Sequence, residues 1–347
     1  TNMKFEINNK TINMHSKPYI VAEACINHNG DFDTAKHMIE VASQMNVDCI
    51  KFQIHVLENE MLREAPQSSN FDDPLWDTLD KTNFTIDEHK ELMNICKKNN
   101  IQYLCTPFSR DGVDLLEEIN VDFYKTGSGE MTNHPLIEYI AKKGKPMIVS
   151  TGMSELSEIE ETVNIIKEYN VPLIITHCTS AYPCPYSRVN LRMLNKLRNK
   201  FEVIVGLSDH TSDNFSSFGA VAHGAALIEK HFTLDKDQIG PDHKSSINPE
   251  QLRELVIGCN AIFEANGDEK KIFDEEKEII SWARESVVTE TEINKGEIIT
   301  EKMIWVKRPG PNEGSIPAKY YKEILGKIAL KKIKKNVQVK WTDIEDK

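Results

Sequence analysis

Short apolar runs recur along the first 265 residues, each ending in a polar or glycine-rich turn and each followed by an amphipathic stretch. The runs are YIVAEA (19–24), DCIKFQ (48–53), IQYLCT (101–106), DFYKTGS (122–128), PMIVST (146–151), LIITHC (173–178), EVIVGLS (202–208) and ALIEKHF (226–232). Their length and β-branched content predict buried strands. The stretches between them predict helices. DFDTAKHMIEVASQM puts Ala35, Met38, Ile39, Ala42 and Met45 on one face, and Thr85 with Glu88 forms a capping box ahead of another helix. Eight β-then-α units are the count of a (β/α)8 TIM barrel. An open doubly wound sheet is the runner-up, weakened by the lack of a GxGxxG after the first run. Residues 54–84 form a long insertion, as lids and substrate loops do.

From 266 the pattern changes. Residues 266–283 read as a charged helical linker between a barrel over 1–265 and a small β-rich domain over 284–347. Charge follows this division. Residues 284–347 hold 14 Lys and Arg against 10 Asp and Glu, a net +4, while the rest of the chain stands at −16. The overall net charge of −12 argues against nucleic acid or an anionic membrane as main partner. No apolar run approaches a membrane span, and the opening residues lack the layout of a signal peptide. Seven cysteines without a CxxC pair read as reduced core thiols, giving a cytoplasmic expectation.

A barrel of this kind carries its active site at the C-terminal strand ends. Those ends supply Glu23 and Asn27, Lys51 and Gln53, Thr106, Lys125 with Ser128 and Glu130, Ser150 and Thr151, His177, Ser208 with Asp209 and His210, and His231. His210 and His231 end successive runs, and parallel neighbours lie about 4.8 Å apart, so the two imidazoles can share one ion. No cysteine accompanies them in sequence, so oxygen ligands are expected beside them; that set suits Mn2+, or Co2+ or Mg2+ with less weight. Lys51 and Lys125 with the hydroxyls of Thr106, Ser128, Ser150 and Ser208 suit a phosphate or a phosphorylated carboxylate. Glu23 and Glu130 are the acid/base candidates. Asp209 is expected to steady the His210 ring. His177 and His243 are further polar candidates, whereas His55, His89 and His134 read as loop or surface residues.

These residues sit in segments that resemble one family. AEACINHNGD, IKFQIH, LCTPFSRDGVDLL, YKTGSGEMTNHPLI, MIVSTGMSELSEI, HCTSAYPCPYSRVNL, GLSDHT, IEKHFTLDK and GPDHKSS resemble, in order and spacing, the motif series of the N-acetylneuraminate (sialic acid) synthases. INKGEIITEKMIWVKRPG with ILGKIAL resembles that family's antifreeze-like (SAF) domain. The resemblance implies a TIM barrel plus antifreeze-like domain in a homodimer with swapped C-terminal domains. It implies condensation of phosphoenolpyruvate with an open-chain N-acylated hexose, N-acetylmannosamine first, to give N-acetylneuraminate and phosphate. It assigns the metal to His210 and His231, and phosphoenolpyruvate to Lys51, Thr106, Lys125, Ser128, Ser150 and Ser208. The sugar falls near Gln53, Phe108, Glu130, Tyr182 and Asp242, with Arg308 of the partner chain reaching its N-acyl group. The segments KFQIH and GPDHKSS also occur in legionaminic acid synthases, so a diacetamido-trideoxy sugar is the alternative substrate.

Two other classes compete: a non-catalytic sugar- or ice-binding protein on a degenerate barrel, and a phosphoenolpyruvate-dependent aldol enzyme making seven- or eight-carbon ulosonates. The intact set of imidazoles, cations and glutamates argues against the first. The VKRPG segment argues against the second.

Overall fold

Alternation within the strands decides which residues meet. The computed structural model describes residues 3–345 apart from 68 and 70. These fall into two compact units, 1–267 and 268–347.

The first unit opens with a hairpin, β1 (Phe5–Ile7) and β2 (Lys10–Ile12), turned at Asn8 in the left-handed region. Eight parallel strands follow: β3 (Tyr19–Glu23), β4 (Cys49–Ile54), β5 (Gln102–Pro107), β6 (Tyr124–Thr126), β7 (Met147–Ser150), β8 (Leu173–Cys178), β9 (Ile204–Asp209) and β10 (Leu227–His231). All eight predicted runs become strands. The ladder order is β5-β4-β3-β10-β9-β8-β7-β6, and β5 lies beside β6, so the sheet curls into a nearly closed barrel with helices between successive strands. The expected capping box at Thr85 and Glu88 is present.

Side chains at period 2 point alternately to the two faces of each strand. One apolar cluster, including Ile20, Ala22, Ile50, Phe52, Tyr124, Val149, Ile175, Val205 and Ile228, packs strands against helices. A second fills the lower lumen with Tyr19, Val21, Cys49, Leu104, Phe123, Ile148, Ile174, Ile204 and Leu227. Phe5, Ile7 and Ile12 of the hairpin join that lumen cluster, with Phe5 edge-on to Phe123 at 6.2 Å between centroids. The barrel floor is therefore plugged by apolar side chains. Continuing each inward row two residues up the strand leads to polar groups: Val21 to Glu23, Cys49 to Lys51 and Gln53, Leu104 to Thr106, Phe123 to Lys125, Ile148 to Ser150.

The second unit has its own core of Val287, Ile293, Ile299, Ile304, Ile316, Ile324, Ala329, Ile333, Val339 and Ile344. It pairs β11 (Ser286–Thr289) with β12 (Ile304–Lys307), and β13 (Ile328–Ala329) with β14 (Ile344–Glu345), all antiparallel. The helix Asp274–Ala283, read above as linker, groups with this unit, and Gly310 N–H donates to Ser281 O at 3.0 Å. Arg308 is exposed, its guanidinium 5.8 Å from the Trp282 ring. Among the described residues no helix is long and apolar enough to cross a membrane.

Candidate active site

The upper ends of the inward rows surround a cavity of about 630 Å³. Of the residues singled out from sequence, Glu23, Lys51, Gln53, Thr106, Phe108, Lys125, Ser128, Glu130, Ser150, Tyr182, Ser208, His210, His231 and Asp242 all line it. Arg308 belongs to the second unit and is not among them.

Lys51 sits between two carboxylates, 2.5 Å from Glu23 and 2.8 Å from Glu229. Glu229 also accepts from Ser208 Oγ at 2.8 Å. Burial would lower the Lys51 ammonium, but the two carboxylates outweigh it and hold the lysine above its ordinary value. They divide the remaining charge unequally. Burial raises Glu23 to about 7 against the pull of Lys51. Burial acts on Glu229 too, but Lys51 and Lys125 together overcome it and hold that carboxylate below its usual range. Lys125 donates to Thr126 O at 2.6 Å and has no carboxylate within ion-pair distance among the described residues. Burial, then the nearby Lys51, brings it down to about 8. Of the two lysines, Lys125 is thus the one whose charge is left for a ligand.

Ser128 and Ser150 hydroxyls pair at 2.7 Å, and Gly152 N–H donates to Ser128 Oγ at 3.1 Å. A side chain at Gly152 would run into the Ser128 and Ser180 hydroxyls, so backbone can come this close only at glycine. The hydroxyls of Thr106 and Ser180 are buried in the wall with no partner. Unpaired buried donors cost free energy, so such groups mark where a ligand's oxygens belong.

Across the cavity the His210 and His231 rings stand 5.2 Å apart, and Tyr182 packs on both at 4.3 and 5.7 Å. His210 Nδ1 faces Thr179 O at 2.9 Å, and Cys178 Sγ lies 3.6 Å away. His231 Nδ1 is buried and has no partner, and burial followed by the neighbouring His210 brings that imidazole down to about 3. A neutral imidazole with a bare nitrogen is a ligand in waiting. Cys25 Sγ and an Asp242 oxygen lie within 4.8 Å of a His231 ring nitrogen and of each other, a group able to hold a metal ion.

Several sequence expectations are corrected here. Asp209 does not touch His210; it points outward, accepting from Thr211 and Ser217 and pairing with Lys230. His177 also faces outward and bonds Val189 O, Thr151 bonds Thr176 O, Asn27 ties Phe232 O to Ser246, and His243 bonds Thr233 and Asn29. His55 lies in the loop after β4, as expected, but is buried and stacks on Phe108 at 4.4 Å; His89 is neither loop nor surface, being buried on a helix where it bonds the Tyr103 hydroxyl. Cysteines do accompany the imidazoles, Cys25 and Cys178 both lining the cavity. Glu229 was missed as a site residue, although it precedes His231 by two and therefore shares its face.

Residues 38–271 match the NeuB family and residues 284–345 the SAF domain. The chain is 42% identical over 332 residues to N,N'-diacetyllegionaminic acid synthase of Campylobacter jejuni, covering 92% of this chain and 98% of that one. It is 34% identical over 319 residues to the N-acetylneuraminate-9-phosphate synthase of Homo sapiens, covering 90% and 88%. The crystal structure of N-acetylneuraminic acid (sialic acid) synthetase from Leptospira borgpetersenii, in complex with citrate, superposes with a TM-score of 0.73 at 32% identity, covering 80% of this chain and 95% of that one.

Proposed function

The chain belongs to the NeuB family, and on that premise we propose that it condenses phosphoenolpyruvate and water with an open-chain N-acylated hexose, releasing phosphate and a nine-carbon sialic-type acid. The observation that carries this reading is the convergence, in one cavity above a plugged floor, of a lysine without an ion-pair partner among the described residues, unpaired hydroxyls and a facing pair of imidazoles.

Lys125 and the hydroxyls of Thr106, Ser128, Ser150 and Ser208 take the phosphate, and Lys125 stabilises its charge as the C2–O bond breaks. Lys51 holds Glu23 and Glu229 in place beneath it. The sugar occupies the side of Gln53, Phe108, Glu130, Tyr182 and Asp242. A divalent ion held by His210 and His231, Mn2+ on the sequence reading, supplies Lewis-acid polarisation of the aldehyde oxygen. The enol carbon forms the new bond to the aldehyde carbon, and water adds at C2. Glu23, poised near neutral pH, is the better placed of the two glutamates to move that proton. Arg308 completes the site from the partner chain of a swapped dimer, holding the N-acyl group.

The 42% identity to a chain named N,N'-diacetyllegionaminic acid synthase moves the diacetamido-trideoxy sugar ahead of N-acetylmannosamine. Phosphate release from phosphoenolpyruvate with Mn2+ and each sugar tests both. Turnover with the diacetamido sugar in preference to N-acetylmannosamine is expected. Release with arabinose 5-phosphate alone would assign an ulosonate synthase, and none with any sugar a binding protein.

A further inference from the structure

We infer that Cys25 and Asp242 complete, with His231 and His210, a four-donor cation site in which one ligand is a thiolate. This deepens the reading of the mouth as a cation-dependent synthase and rests on it. Four separate segments bring the donors together: the turn after β3, the residue that follows β9, the end of β10 and the loop beyond it. Cys25 Sγ, a His231 ring nitrogen and an Asp242 oxygen all lie within 4.8 Å of one another. His231 Nδ1 has no hydrogen-bond partner, and the His210 ring stands against His231. Thr179 O at His210 Nδ1 accepts the N–H there and leaves Nε2 bare, as the carbonyls that orient ligating histidines do.

The backbone makes the same point. Cys25 has φ 48, a conformation that costs an L-residue roughly 1–2 kcal/mol and glycine almost nothing. Its N–H is held by Glu23 Oε1 at 2.5 Å, and its sulfur accepts from Gln53 Nε2 at 3.3 Å. The strained turn thus delivers the thiol, 3.2 Å from Asp242 Oδ2, into the cation cluster.

In the cation-free cluster the thiol donates its proton to that carboxylate. Cation binding breaks the S–H bond, forms the S–metal bond and sends the proton to solvent, so affinity rises with pH. One sulfur, two imidazoles and one carboxylate shift the expectation from the Mn2+ and Mg2+ of the sequence reading towards Co2+, and admit Zn2+ or Fe2+, which that reading left out.

Chelator-stripped full chain titrated with Co2+ alone tests this by absorption. The expected result is one Co2+ per chain with a thiolate-to-cobalt charge-transfer band, lost in Cys25→Ser together with at least about tenfold in affinity, and kept in Cys178→Ser, the other thiol of the cavity wall. Cys25→Gly relieves the backbone, so it should melt no lower than the wild type and lose the same band. Co2+ binding without that band, or equally tight binding by Cys25→Ser, would overturn the thiolate ligand, as would no binding. Phosphate release by a wild type that lacks the band leaves the synthase standing. The band without release from any sugar supports the ligand and removes the synthase reading instead.

Discussion

Glu229 and Lys230 are consecutive in β10 and serve opposite sides of one sheet. Outward, Lys230 donates to Thr211 O at 2.8 Å and Asp213 O at 2.5 Å and stands 3.3 Å from Asp209. Asp209 in turn accepts from Thr211 N–H, Thr211 Oγ1 and Ser217 Oγ. Charge and hydrogen-bonding capacity close on themselves, and the cluster ties the loop after β9 to the helix Phe215–Ala222. Inward, the account is left open: among the described residues Lys125 has no carboxylate within ion-pair distance, the Thr106 and Ser180 hydroxyls have no partner, and His231 Nδ1 is bare. Buried charge alone does not mark a reaction site. Unanswered polarity gathered on one cavity does: Tyr19, His89 and Asn214 also bury an unpartnered atom, but singly and away from that wall.

The largest expected effect breaks the outer cluster. Lys230→Met leaves Asp209 buried without its cation and should cost about 3–5 kcal/mol in denaturant unfolding. Folded molecules should still release phosphate far better than an inner-face variant. Lys125→Met is its mirror image. Phosphate release should fall at least about 100-fold while the melting temperature drops far less than in Lys230→Met, since Lys125 forms no ion pair and only shares with Lys51 the charge that steadies Glu229. Equal thermal losses from the two would erase the distinction.

The smallest effect sharpens the inner face. Glu23 binds its proton near 7 when folded and near 4.5 when unfolded. Between those values the native state carries the extra proton, so this group's contribution to stability falls as pH rises through the window and levels off above it. The slope is at most about 1.4 kcal/mol per pH unit. Glu23→Gln should flatten it, as unfolding at pH 5, 6 and 7 would show.

The barrel was legible because its eight buried strands are continuous apolar runs, and their polar ends located the mouth. Which end residues face the mouth was not settled by taking the last one or two of each run, because that mixes both faces. Thr151, His177 and Asp209 were gathered with Ser150, Ser208 and His210, although one step along a strand reverses a side chain. Counting in twos from the lumen residues would have removed them and added Glu229. Cys25 lies beyond periodicity altogether: a left-handed turn held by Glu23 directs its sulfur. His89 looked superficial because its helix is polar, yet the Tyr103 hydroxyl gives it a buried partner. The hairpin under the barrel was also passed over, although Asn-Asn between Ile7 and Ile12 is turn chemistry.

That hairpin has a kinetic corollary. With Phe5, Ile7 and Ile12 corking one end, traffic is confined to a single doorway. On the proposed function, a reactant held at Lys125 would have to arrive before the sugar that would stand behind it, and would wait for that sugar's departure. Reactants would then queue in fixed sequence, the enol phosphate first, and inorganic phosphate would be the last to leave.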